Sequence, residues 1–61
     1  MKQFAVLSRD PDFEAVINFI RLHDLKYELH LNRTRFWIAE GLVLTEFYLR
    51  FSGSFILRIE D

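Results

Sequence analysis

The sequence predicts an α+β domain with the element order β-α-β-β-β-β, in which one helix packs on a strongly curled, mostly antiparallel five-stranded sheet. Three observations carry this. Pro11 to His23 places apolar residues at helical spacing. From Lys26 onward, apolar and polar residues alternate in runs separated by turn signals. The alternation keeps one phase through every turn, as a sheet with one buried face requires.

The elements follow in order. Lys2 to Ser8 reads as a short strand built on Phe4, Val6 and Leu7. Asp10-Pro11 is a helix start: the Asp10 side chain accepts from free amide hydrogens, and proline fits the first helical position because it has no N–H to leave unpaired. Asp12 and Glu14 add negative charge beside the positive end of the helix dipole. Phe13, Val16, Ile17, Phe19 and Ile20 share one arc, with Glu14, Asn18 and Arg21 opposite. Four strands are then expected. They run from Lys26 to Leu31, from Thr34 to Ala39, from Leu42 to Phe51 and from Phe55 to Glu60, with turns at Asn32-Arg33, Glu40-Gly41 and Ser52-Gly53-Ser54.

Parity fixes the faces. Two-residue loops at Asn32-Arg33 and Glu40-Gly41 and a three-residue loop at Ser52-Gly53-Ser54 pair Leu29 with Phe36, Ile38 with Val43, and Phe51 with Phe55. Tyr27, Leu29, Leu31, Phe36, Ile38, Val43, Phe47, Leu49, Phe51, Phe55, Leu57 and Ile59 then lie toward the helix. The opposite face holds Trp37 against Leu44, Ala39 against Leu42, Arg35 against Glu46 and Tyr48 against Arg58, with Ile56 nearby. An apolar centre with a charged rim is how protein interfaces are built. Trp37, Leu42, Leu44, Tyr48 and Ile56, with Arg35, Arg50 and Arg58 at the rim, are therefore the candidate partner-binding residues. A helix is about 10 Å across, whereas five strands about 4.8 Å apart span more than twice that. One helix cannot cover such a sheet, so extreme curl or a second molecule must complete it. Open sheet edges also invite strand addition.

Composition narrows the function classes. The chain of 61 residues is expected to form one compact domain, residues 1–61, with no cysteine for disulfides, zinc–thiolate sites or thiol nucleophiles. Eight Lys and Arg stand against nine Asp and Glu, a balance that opposes both a DNA mimic and a strongly electrostatic nucleic-acid binder. Hydrophobic residues make up 51% of the chain, including seven Phe, which leaves either an aromatic-rich core or apolar surface for an interface. Met1-Lys2-Gln3 leads into only Phe4 to Leu7 before Ser8-Arg9-Asp10, unlike a secretory signal. No apolar run approaches the roughly 20 residues that span a bilayer, so a cytoplasmic protein without membrane contact is expected.

No constellation for chemistry stands out. His23-Asp24 with His30 could hold zinc or pair a carboxylate with an imidazole, but a helix end and a strand face account for them. Asp10, Asp12 and Glu14 lack the ligand count and turn glycine of a calcium loop. Ser8, Ser52 and Ser54 have no nucleophile elbow around them. Gly41 and Gly53 lie in expected hairpins rather than in a phosphate-cradling loop. No catalytic residue, metal or cofactor is expected.

His30, Arg33, Arg35, Trp37, Tyr48, Arg50 and Arg58 form a possible basic aromatic platform for single-stranded nucleic acid, opposed by Glu28, Glu46 and Glu60 on the same face. Small, cysteine-free, dense in aromatics and without a catalytic motif, the chain resembles compact accessory proteins, including those phages use to bind and inhibit host machinery. The expected function is a non-enzymatic, self-associating protein-binding module, a homodimer or higher homo-oligomer, that covers or inhibits a surface of a partner protein. Nucleic-acid binding through the sheet face is the alternative.

Overall fold

A computed structural model describes residues 1–51 in full and the strand 57–59 by its backbone. The elements are β1 (Lys2–Leu7), α1 (Phe13–Leu22), β2 (Tyr27–Leu29), β3 (Arg33–Ile38), α2 (Leu42–Phe51) and β4 (Leu57–Ile59). The strands β2, β3 and β1 make an open antiparallel sheet, and the short β4 extends it at the β1 edge, for the order β2-β3-β1-β4. This combination of element order and strand order is the split β-α-β, or ferredoxin-like, arrangement.

The expected single helix on a curled five-stranded sheet is overturned. Leu42 to Phe51 is not a strand but α2, and both helices pack on one face of a smaller, open sheet. Glu40-Gly41 is correspondingly a strand-to-helix turn rather than a hairpin. The Gly41 carbonyl accepts the Thr45 N–H at 3.1 Å, the first helical bond of α2. Gly41 has φ +138°, and a Cβ built there would meet nothing within 4 Å, so the backbone rather than space calls for glycine. β4 pairs with β1, Gln3 opposite Ile59 and Ala5 opposite Leu57, and not with the segment 42–51. The expected turn at Ser52-Gly53-Ser54 lies outside the described residues. The width problem is answered from within the chain: the second helix supplies the cover that one helix could not.

β1 lies between β3 and β4, with both of its edges paired; Phe4, Ala5 and Val6 are all buried. A continuous apolar run is what a central strand needs. The β1–β3 register sets Phe4 against Phe36 and Val6 against Thr34, and these positions turn toward the helices. The core joins Phe4, Val6, Phe36 and Ile38 of the sheet to Val16, Phe19 and Ile20 of α1 and Leu44 and Phe47 of α2. The β2–β3 hairpin turns at Leu31-Asn32 rather than Asn32-Arg33, so Tyr27 faces Phe36 and Leu29 faces Thr34. The slip from the expected pairing is two residues, which preserves the faces. Leu31 and Leu49, expected toward the helix, are both exposed.

α1 begins at Phe13, two residues after the expected start. Asp10 still organises the entry: its Oδ1 accepts the Asp12 N–H at 2.8 Å and its carbonyl accepts the Phe13 N–H at 2.9 Å. Asp12 is the N-cap by backbone position, without a side-chain bond of its own. At the far end, the Leu25 N–H bonds to the Ile20 carbonyl and the Asp24 N–H to the Arg21 carbonyl, with Asp24 at φ 54°. That is a Schellman stop. Asp10→Ala removes the buried acceptor and is expected to cost about 0.5–2 kcal/mol, read as a lower urea midpoint, with Asp10→Asn closer to wild type. An alanine variant as stable as wild type would leave the turn to Pro11 and the backbone bonds alone.

Candidate binding face

The helices cover one face of the sheet, and among the described residues no element covers the other. The two registers stack its side chains in three rows across β1, β3 and β2: Gln3–Trp37–Lys26, Ala5–Arg35–Glu28 and Leu7–Arg33–His30. Lys26, which precedes β2, joins the first row because its carbonyl accepts the Trp37 N–H at 3.1 Å. Its ammonium group lies 5.1 Å from the centre of the Trp37 ring, within cation–π range. His30 joins the third row by donating its backbone N–H to the Arg33 carbonyl at 2.9 Å.

Arg35 occupies the middle of this face. Its neighbour across the β1–β3 ladder is Ala5, which is 1% exposed. Arg33, Arg35 and Trp37 are half-buried, while Lys26, Glu28 and His30 are exposed. The Arg35 Nε is out of contact with solvent and has no hydrogen-bond partner among the described residues. A buried donor left unpaired costs about 1–3 kcal/mol. Glu28 is 3.4 Å from the His30 Nε2. Among the described residues of this face, three cations, Lys26, Arg33 and Arg35, thus stand against one carboxylate.

Of the residues expected to bind a partner, Trp37 and Arg35 are the only ones brought together among the described residues. Leu44 is a correction: at 8% exposure it belongs to the core between α2 and the sheet. Leu42 lies on the outer surface of α2, and Arg50 reaches over the Phe19 ring of α1 at 5.9 Å and lies 3.8 Å from Glu46 one turn earlier; neither is beside Trp37. Tyr48 is partly exposed and meets the Phe4 ring edge-on at 6.1 Å, on the helical side. Arg58 stands opposite Phe4 in the β4 register, and Ile56 lies outside the described residues. Gln3, Ala5 and Leu7 join the face because β1 is central. The run Phe4 to Leu7 is the signal that could have placed them there.

The other candidates do not assemble. His23 caps α1, packs on Phe19 with ring centres 4.4 Å apart, and lies 3.9 Å from Glu46. His30 has its own carboxylate, Glu28, on β2. Among the described residues, no group of three or more His, Asp or Glu is placed to hold a metal ion. An open groove of about 570 Å³ runs between α1 and α2, with Asp12 and Arg50 as its charged lining groups. No helix among the described residues is long and apolar enough to cross a membrane. The chain matches no protein-family model, no curated protein and no solved structure, which leaves the open face and the edges of its sheet as the ground for a functional reading.

Proposed function

We propose that this domain is a non-enzymatic binding module that lays its open sheet face on a partner protein and acts by occupying that partner's surface. The observation that carries this is the centre of the face, where Trp37 and Arg35 stand half-buried in adjacent rows of β3. Trp and Arg are the residue types most enriched at the energetic centres of protein interfaces. Lys26, Glu28 and His30 supply a polar rim on the β2 side, as such centres require.

A second reading has its own support. With Glu46 on α2, Lys26, Arg33 and Arg35 meet one acid on the open face, and Trp37 offers a ring for stacking. Single-stranded nucleic acid is bound by sheets of this kind through aromatic stacking between cations.

One set of measurements separates the two. The immobilised domain is exposed to the soluble proteins of its native host and, separately, to labelled oligonucleotides at low and high salt. A protein captured by wild type and by Leu42→Ala, but lost with Trp37→Ala and Arg35→Ala, is the expected result. Each loss is expected to be about 2 kcal/mol or more, near thirtyfold in Kd. Capture that survives Trp37→Ala would sink the protein reading. Oligonucleotide binding that falls steeply with salt and needs Trp37 would install the second reading in its place.

A further inference from the structure

β2 is an edge strand with an unusual surface. It pairs with β3 on one side, and among the described residues nothing pairs with it on the other. The bonds from Trp37 N–H to the Lys26 carbonyl and from His30 N–H to the Arg33 carbonyl show that the even-numbered residues of this segment address β3. By the alternation of an antiparallel ladder, Tyr27 and Leu29 turn their N–H and C=O groups to the open side. Soluble proteins blunt such edges with proline, bulges or charges. Here Tyr27 is 51% exposed, Leu29 70% and Leu31 fully exposed, all projecting toward the helical side. α1 does not reach far enough to cover them: Ile17 and Ile20 line only a shallow cleft beside Tyr27 and Leu29.

We propose that the β2 edge pairs antiparallel with β2 of a second copy, about a two-fold axis passing beside Leu29. The register follows from charge and hydrogen bonding. Open edge groups belong to odd-numbered residues, so odd must meet odd. Centring the pair on Glu28 would set Glu28 against its own copy in a close pair, with like charges opposed. Centring it on Tyr27 would use Leu25, whose N–H is already given to the Ile20 carbonyl and whose side chain packs on the core, and would leave Leu31 in water. Centring it on Leu29 sets Leu29 against Leu29, Tyr27 against Leu31, and Glu28 against His30 of the second copy. All three exposed apolar side chains are then covered, and the polar pair is complementary.

The axis is perpendicular to the sheet, so the helices of both copies stay on one side. Tyr27, Leu29 and Leu31 fill the space between α1 and its counterpart. The two open faces merge into one continuous surface. The pairing stands on the β2 edge alone and holds whether or not the open face binds a protein, and Trp37→Ala leaves it intact.

Sedimentation velocity across a concentration series tests the pairing. Wild type is expected to shift from monomer to dimer with rising concentration, and Leu29→Lys, at an exposed position, to stay monomeric with an unchanged far-UV spectrum. Register is read by disulfide trapping, which the absence of native cysteine makes clean. Leu29→Cys faces itself in a hydrogen-bonded pair with Cα atoms about 5.5 Å apart, inside the disulfide range of about 4.4–6.8 Å, and is expected to cross-link under mild oxidation. Glu28→Cys faces His30 and is expected to remain reduced. A wild-type monomer at every concentration, a dimer that persists in Leu29→Lys, or faster trapping of Glu28→Cys than of Leu29→Cys would each overturn the proposal.

Discussion

Phe47→Ala is expected to unfold the domain. Phe47 is 3% exposed, and its ring lies 4.8 Å from Phe4, 5.5 Å from Phe36, 5.7 Å from Phe19 and 5.1 Å from Phe51, measured between centroids. β1, β3 and α1 all meet α2 at this side chain. Truncating a buried phenylalanine costs about 3–5 kcal/mol, and the cost is highest where the walls cannot collapse. Here two walls are strand residues held by the ladder. At about 0.05–0.15 kcal/mol per residue the whole domain holds roughly 3–9 kcal/mol, so the loss takes most of what there is. Phe47→Leu keeps most of the volume and is expected to stay folded with a loss of about 1–1.5 kcal/mol. Urea titration followed by far-UV circular dichroism reads both. A Phe47→Ala midpoint within about 1 kcal/mol of wild type would mean that α2 is not docked on this face.

The parts of the fold that were legible in the sequence are those where one periodicity dominates. α1 has acids at its start, an apolar arc and a polar back, so its face could be read, although its N-cap falls at Asp12 rather than at the expected Asp10. β2 and β3 alternate cleanly, and their shared face was placed correctly despite a register two residues off. Leu42 to Phe51 satisfies two periods at once. Val43, Thr45, Phe47, Leu49 and Phe51 alternate like a strand, while Val43, Leu44, Phe47 and Phe51 recur like a helix. Valine, threonine and aromatics tilt the local preference toward strand. Leu42 and Leu49, 89% and 78% exposed, blur the helical stripe by putting leucine on the outer side. Tertiary demand decides: the wide apolar face of the sheet needs a second cover, and a ten-residue apolar segment is long for a strand but suited to a helix.

The candidate site was legible for the same reason and failed for the same reason. Trp37 and Arg35 were placed on the uncovered face because β3 alternates without ambiguity. Leu42, Leu44, Tyr48 and Arg50 were assigned to it only through the strand reading of the segment that is α2. Gln3, Ala5 and Leu7 were missed because the apolar run Phe4 to Leu7 marks β1 as a central strand but does not say which strands it pairs with. The face that results differs from the one expected: Glu46 and Arg50 both leave it with α2, while Lys26, Arg33 and Arg35 stand beside Glu28.

Leu42 and Leu44 give the sharpest test of that difference. Two residues apart on a strand, they would share a face and respond alike to a charge. On α2 they are about 200° apart at 100° per residue, one at 89% exposure and the other at 8%. Leu44→Asp is therefore expected to unfold the domain. It forfeits about 2–5 kcal/mol of leucine packing and adds the cost of a carboxylate among Phe4, Phe47 and Val16. Leu42→Asp is expected to change stability by less than about 0.5 kcal/mol, and in the stabilising direction. It puts an acid at the first position of a helix whose first turn carries none, beside the positive end of its dipole. Chemical denaturation of the pair resolves the matter in one comparison. Equal losses would return Leu42 to Phe51 to a strand. A folded Leu42→Asp beside an unfolded Leu44→Asp would fix α2 on the helical side and leave the open face to Trp37, Arg35 and their neighbours on β1 and β2.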